Sequence, residues 1–177
     1  KGFYARYTSR LFGRVVRLFY FPLIRALRSI LGPLEFLDFM GDFRYPLSGE
    51  WATYRTMSEE MRFPSDWGIE VGILAEMYQV TTIPRICQVE IADRYDHKHQ
   101  VLDPERKEMG LFRMAADIAR AFFTYLTGWG LVLSGEFFHT LKFTYQSYAR
   151  ELVNVYEDLS RSVSYTHLRA HETRHDL

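Results

Sequence analysis

The sequence predicts an α/β chain that is predominantly helical, with few strands and a helical hairpin toward its C-terminal end. Three observations carry this. Ile86 to Ile91 alternates apolar and polar residues as a half-buried strand does. Two long stretches, from Asp103 to about Leu126 and from Glu136 to Arg161, read as helices parted by Thr127-Gly128-Trp129-Gly130. The resulting order of helix, loop, helix, strand, loop, helix, helix holds too few strands for a complete sheet.

Composition bounds the classes of function. A chain of 177 residues, 47% hydrophobic and 16% aromatic, can bury the core of one domain. Its 22 basic and 22 acidic residues cancel, which argues against a broad electrostatic grip on nucleic acid. The one cysteine, Cys87, lies in the strand pattern, where a buried thiol is expected. With no disulfide framework and no signal peptide, the expected compartment is the cytoplasm.

From its start, residues Phe3–Leu31 read as helical, with Arg14, Arg17, Arg25 and Arg28 between apolar positions. Pro22 is expected to break or restart the helix and Gly32-Pro33 to stop it. Gly13-Arg14 opens a helix, where a guanidinium and unpaired N–H groups suit an anion; a solvated basic face explains the same arginines. Leu34–Met40 is a short apolar helix. Pro46 and Ser48-Gly49 force an irregular loop, and Gly49 allows backbone to approach a ligand closely. Met57–Met61 is a short polar helix. Ser65 or Asp66 caps the next one, which carries Trp67, Glu70 and Leu74 and runs to Tyr78. Glu70 then falls among Ile69, Val71 and Ile73, where a carboxylate is either partnered by a nearby arginine or functional.

Beyond the strand, Asp93-Arg94-Tyr95-Asp96-His97-Lys98-His99-Gln100 is a run of ionisable side chains without apolar periodicity. It is either a solvated loop or a strand-delivered holder of metal or charged substrate. The run Ala121–Leu133 is too short and too broken by glycine to span a membrane, so no stable membrane insertion is expected. The second long helix places Phe137, Leu141, Tyr145, Tyr148, Leu152 and Tyr156 at helical spacing, as a core or subunit-interface stripe.

Both ends invite a reading. The chain opens at Lys1 in mid-sequence, and Val163 to Thr173 back-translates onto a transposase adapter used in sequencing libraries. Residues 162–177 are therefore kept out of fold reasoning. Three of the six histidines lie there, leaving His97, His99 and His139 as informative.

Four stretches in this order, LFGRVVRL, YPLSGEWA, FPSDWGIEVGIL and ICQVEIADRYDHKHQ, resemble the glucosyl-3-phosphoglycerate synthases and the related mannosyl-3-phosphoglycerate synthases. The resemblance spans about Lys1 to Arg161. It implies the C-terminal part of a GT-A glycosyltransferase, in a family whose nucleotide-binding half, with an Asp-x-Asp motif, comes first. Residues 1–104 would then be the acceptor- and metal-binding half of the catalytic domain, and 105–161 the helical hairpin.

The implied activity moves glucose from UDP- or GDP-glucose to 3-phosphoglycerate with retention, in a cytoplasmic enzyme that is a homodimer at full length. The fragment alone would be inactive. Leu47, Ser48 and Gly49 would lie beside donor sugar and acceptor hydroxyl, and Glu70 would hold donor-sugar hydroxyls. His97 would bind Mg²⁺ or Mn²⁺, which neutralises the diphosphate leaving group. Gly13 and Arg14 would hold the phosphoglycerate, with Arg94 and His99 near it. Val16 stands where the family has a threonine, so one phosphate hydrogen bond is lost or comes from elsewhere. Asp66-Trp67 replaces an aromatic-glycine pair, which leaves the sugar open. A mannosyl transferase with the same site is the enzymatic alternative. A helical oligomerisation or membrane-surface module built on Phe122, Phe123, Trp129, Phe137, Phe138, Phe143 and Tyr145 is the alternative of another class.

Overall fold

The structure, a computed structural model, describes residues 1–4, 13–92 and 109–172, without the side chains of Ser160 and residues 162–172. Strand β1 (Gly2–Tyr4) pairs in parallel with β2 (Val89–Ala92), placing Gly2 opposite Val89 and Phe3 opposite Glu90. Helix from Phe3 onward is thereby corrected, since Phe3 is in β1, its backbone drawn into the ladder with β2. The second strand starts three residues later than its alternation predicts, after a 3₁₀ turn at Ile83–Arg85. It is also less covered than expected: Val89 and Ile91 are about half exposed. Cys87 is exposed rather than buried, because it precedes β2 outside the core.

The first helix passes through Pro22 without breaking. Helical backbone begins at Arg14, widens into a π-helical stretch over Val16–Tyr20, and continues as α1 (Phe21–Leu31). The Phe21 N–H donates to Val16 O, a five-residue step, so the wide turn immediately precedes the proline. A proline ring otherwise crowds the preceding turn and offers no N–H to the carbonyl four residues back. That carbonyl is Leu18 O, and the Tyr145 hydroxyl donates to it at 3.0 Å from another helix. As predicted, Gly32 ends α1, its φ of 77° being open to glycine.

Helices α2 (Glu35–Gly41) and α4 (Ile69–Val80) pack with α1 and α5 (Gly110–Gly128) around one core, while α3 (Arg55–Glu60) buries no residue. Tyr20, Ile24, Leu27, Leu37, Met40, Ile118 and Phe122 are fully buried, and the Tyr20 hydroxyl donates to Met40 O at 2.9 Å. Phe36 is ringed by Trp129, Tyr78 and Phe122 at centroid distances of 4.4, 5.6 and 6.4 Å. These are edge-on and tilted pairings, the favourable ones for aromatic quadrupoles.

The last helix, α6 (Gly135–Glu172), does not close a simple hairpin on α5. It meets α5 near the turn through Phe123 and Phe138, 5.1 Å apart, but its main neighbour is α1. Arg25 of α1 pairs with Glu151 at 3.3 Å and lies over Tyr148, and Arg17 lies over Tyr156. Among the described residues, no helix is long and apolar enough to cross a membrane. The Tyr145 hydroxyl closes this packing at the carbonyl freed by Pro22. Tyr145→Phe is expected to lower unfolding stability by about 1 kcal/mol, seen as a shifted urea midpoint with unchanged slope.

Candidate functional site

The loop predicted at Pro46–Gly49 is fastened to β1 from both sides. Pro46 is fully buried, and the Ser48 N–H donates to Tyr45 O at 3.3 Å, closing a tight turn. Ser48 is completely buried and its Oγ donates to Gly2 O at 2.5 Å, while the Gly2 N–H donates to Glu50 O at 2.8 Å. A Cβ on Gly2 would lie 3.0 Å from Glu50 Cβ and 3.1 Å from Ile91 Cδ1, so strand and loop meet closely enough that any larger residue would push its neighbours aside by a few tenths of an ångström. Lys1 Nζ donates to Ser48 O of the same loop. Leu47 is half-buried against the core, whereas Gly49 is exposed. A Cβ on Gly49 would meet nothing within 4 Å, so no described neighbour requires glycine there.

Glu70 lies in the first turn of α4, within electrostatic range of Lys1 and Glu50. Burial raises its carboxyl above the ordinary value; its own backbone N–H and the charge of Lys1 lower it, and Glu50 raises it again. Burial likewise lowers the Lys1 ammonium to about 8, although attraction to Glu70 and Glu50 opposes this. Desolvation therefore works against charge on both partners, and their mutual attraction only partly restores it. Glu50 adds a second carboxylate, whose Oε2 is buried with no hydrogen-bond partner among the described residues.

The two glycines flanking Glu70 have packing roles. A Cβ on Gly68 would fall 2.8 Å from Ala121 Cβ and 3.0 Å from Asp117 O of α5; one on Gly72 would fall 2.4 Å from the Pro64 ring. They let α4 sit close enough to α5 and to the preceding loop to hold Glu70 in register. The N-cap of α4 is Gly68 rather than Ser65 or Asp66, because the helix starts at Ile69; Asp66 instead turns the chain before it, its Oδ1 accepting the Gly68 N–H at 2.8 Å, and its Oδ2 pairs with Arg120 at 3.1 Å. Arg120 also pairs with buried Asp117, which Arg113 holds through two bonds of 2.9 and 3.1 Å. Burial alone would raise Asp117; the Arg113 bond, both arginine charges and the Trp67 N–H outweigh it and hold the carboxyl below its usual range. Deeper in the same seam, Glu76 accepts from the Arg62 N–H at 3.1 Å and the Tyr125 hydroxyl at 2.9 Å.

Gly13 and Arg14 come to the site through Tyr45. Gly13 has a φ of 68°, and its carbonyl accepts the Arg17 N–H at 2.9 Å, which starts the helix. A Cβ on Gly13 would lie 3.8 Å from the Tyr45 ring, which packs on Tyr4 of β1 at 5.2 Å. Of the residues singled out from sequence, Ser48 is bonded to β1 and carries Leu47 and Gly49 with it, Gly13 lies against Tyr45, which packs on Tyr4, and Glu70 lies within electrostatic range of Lys1 and Glu50. Asp66 is engaged in the α4–α5 seam instead. Arg94, His97 and His99 lie outside the described residues. Among those described, no three His, Cys, Asp or Glu side chains are placed to hold a metal. Sequence reasoning missed Lys1 and Glu50. The glutamate ends a quoted motif, but nothing local shows its carboxylate turning inward, and a single lysine before a strand carries no signal.

The chain is 51% identical over 160 residues to a glucosyl-3-phosphoglycerate synthase of Persephonella marina, covering 90% of this chain and 40% of that protein. It is 38% identical over 160 residues to one from Methanococcoides burtonii, covering 88% and 39%, and 33% identical over 91 residues to one from Mycobacterium tuberculosis. It spans about two fifths of the length of the first two curated relatives. No family model matches the chain, and no solved structure does.

Two outcomes follow from the position of α4. Gly72→Ala forces Pro64 aside and is expected to destabilise by about 1–3 kcal/mol, measured by urea unfolding. Because the folded state raises the Glu70 pKa, it holds that proton more tightly than the unfolded chain. The stabilisation is complete below the ordinary carboxylate value and is lost as pH rises through the raised one. The stability of the parent relative to Glu70→Gln should therefore fall with rising pH across that window, in unfolding curves taken from acid to neutral pH.

Proposed function

The chain belongs to the glucosyl-3-phosphoglycerate synthase family, and on that premise we propose that it forms the acceptor- and metal-binding half of a retaining GT-A transferase. The reaction would move glucose from UDP- or GDP-glucose to the free hydroxyl of 3-phosphoglycerate. One observation carries the reading: the loop at Leu47–Gly49 is bonded to Gly2 and Lys1 at the start of β1, and Glu70, remote in sequence, lies within electrostatic range of Lys1 and Glu50.

The residues divide the work. Ser48 has its side chain and carbonyl committed to β1 and Lys1, so its role is to set the backbone path of the loop. Leu47 and Gly49 on either side then face the sugar, and the open position at Gly49 is where donor and acceptor approach the chain. Glu70 holds donor hydroxyls, its carboxylate accepting from them in a partly desolvated place where such bonds are stronger than in water. The helix start at Gly13-Arg14 takes the acceptor's anionic groups by N–H donors and guanidinium. Holding both substrates in one orientation supplies the rate, and the acceptor hydroxyl attacks from the leaving-group side. His97 is proposed as ligand to Mg²⁺ or Mn²⁺, which would neutralise the diphosphate. The described residues form no metal site of their own, so no step here is routed through the ion.

The test uses the full-length protein with UDP-glucose, GDP-glucose or GDP-mannose and 3-phosphoglycerate. A glucosyl donor should be turned over, and the isolated 177 residues should not catalyse. Gly49→Ala should leave stability within about 0.5 kcal/mol while lowering kcat. Arg14→Met should raise the acceptor KM by about tenfold or more. Turnover only with GDP-mannose would overturn the glucosyl assignment. Unchanged kinetics in both variants would overturn the site.

A further inference from the structure

We propose that Lys1 is a positioning residue for the transfer, its ammonium fixing the Leu47–Gly49 loop through Ser48 O, beside the bonds that Gly2 makes to the same loop. This rests on the functional reading above and adds a residue that the motifs do not contain. The loop is gripped by three bonds to two consecutive residues: Lys1 Nζ to Ser48 O, Ser48 Oγ to Gly2 O, and Gly2 N–H to Glu50 O. The two backbone groups of Gly2 cannot let go without breaking the approach that its missing Cβ permits. The Lys1 contact is different, since it is made by a flexible side chain and carries charge.

That charge is what a purely structural contact would not need. An ammonium taken from water into a mostly buried place loses hydration, and an apolar side chain of similar length would fill the space at less cost. Here it stands within electrostatic reach of two carboxylates, Glu70 and Glu50, one of which has a buried oxygen without a hydrogen-bond partner among the described residues. Lys1 therefore does two things at once. It ties down the carbonyl of the residue that shapes the loop, and it keeps two neighbouring carboxylates compatible with each other. Without it, Glu50 and Glu70 repel across the loop, and the loop moves relative to the glutamate that holds the donor. Its depressed pKa of about 8 is the mark of this burial.

The experiment compares Lys1→Met and Lys1→Arg with the parent in the full-length protein, by steady-state kinetics and by amide exchange over residues 46–50. Lys1→Met should lower kcat by about 10²-fold, the effect of misplacing reacting groups by about an ångström, with donor KM little changed. It should speed exchange in 46–50 but not in α5, and Lys1→Arg should recover part of both. Unchanged exchange in 46–50, or faster exchange with unchanged kcat, would overturn the proposal. Should the parent turn over no nucleotide sugar with 3-phosphoglycerate, the functional reading fails by itself, and the exchange readout still decides whether Lys1 fastens the loop. Should Lys1→Met fail to fold, competitive lysine labelling of the parent against pH replaces it. Half-reaction near pH 8 supports a buried, engaged ammonium, and half-reaction near the ordinary 10.5 overturns it.

Discussion

Gly2 is where strand and loop are joined most closely. Its carbonyl and N–H are taken by Ser48 and Glu50, and the space a Cβ would need is filled by Glu50 and Ile91. Backbone groups removed from water must be paired, and here the partners of a three-residue strand are split between β2 and a loop. That division joins the Pro46–Glu50 loop to the sheet, and with it whatever chemistry the loop serves. Lys1 is bonded to the same loop, Tyr4 of β1 packs at a tilt on Tyr45, and Glu70 of α4 lies within electrostatic range of Lys1 and Glu50.

The position of Glu70 depends in turn on the seam between α4 and α5. Two glycines bring α4 close, and two buried carboxylates, Asp117 and Glu76, are each met by hydrogen-bond donors. A buried carboxylate without partners would cost several kcal/mol or stay protonated (~3–5 kcal/mol for a broken buried pair). The register of α4 on α5 is marked by Glu76, which takes the Tyr125 hydroxyl from α5, and by Arg120 of α5, which pairs with Asp66 ahead of α4; the donors to Asp117 lie on α5 itself. Asp66 takes part in that seam. Its neighbour Glu70 is held less completely, and the strain of partial desolvation gathers on the residue assigned to the donor.

The aromatic residues answer the competing picture of a helical interaction module. Phe122 is fully buried, Tyr145 is hydrogen-bonded to Leu18, and Trp129 packs edge-on against Phe36. Phe138 and Phe143 remain substantially exposed on α6, and Phe138 also touches Phe123. Of the seven aromatics, Phe122 is core, Phe123, Phe137 and Tyr145 are partly buried against it, and Trp129, Phe138 and Phe143 stay exposed, so four of them are engaged in packing the fold.

Sequence by itself determined the helical segments from α1 to α6, the stop at Gly32-Pro33, the loop at Pro46–Gly49 and the placement of Glu70 on a helix. Those features rest on periodicity and on backbone preferences that act within a few residues. The family was also legible, since four ordered motifs survive without coordinates. Tertiary structure alone decided the rest. Phe3 became strand because β2 supplies a partner from far along the chain. Pro22 was accepted inside a helix because a π turn precedes it and Tyr145, 127 residues away from Leu18, takes the freed carbonyl. Cys87 stayed exposed, and α6 chose α1 over α5. Lys1 entered the site only because folding carried it to Ser48, Glu50 and Glu70. Each of these is a contact between residues distant in sequence, and no local pattern encodes which distant group will arrive.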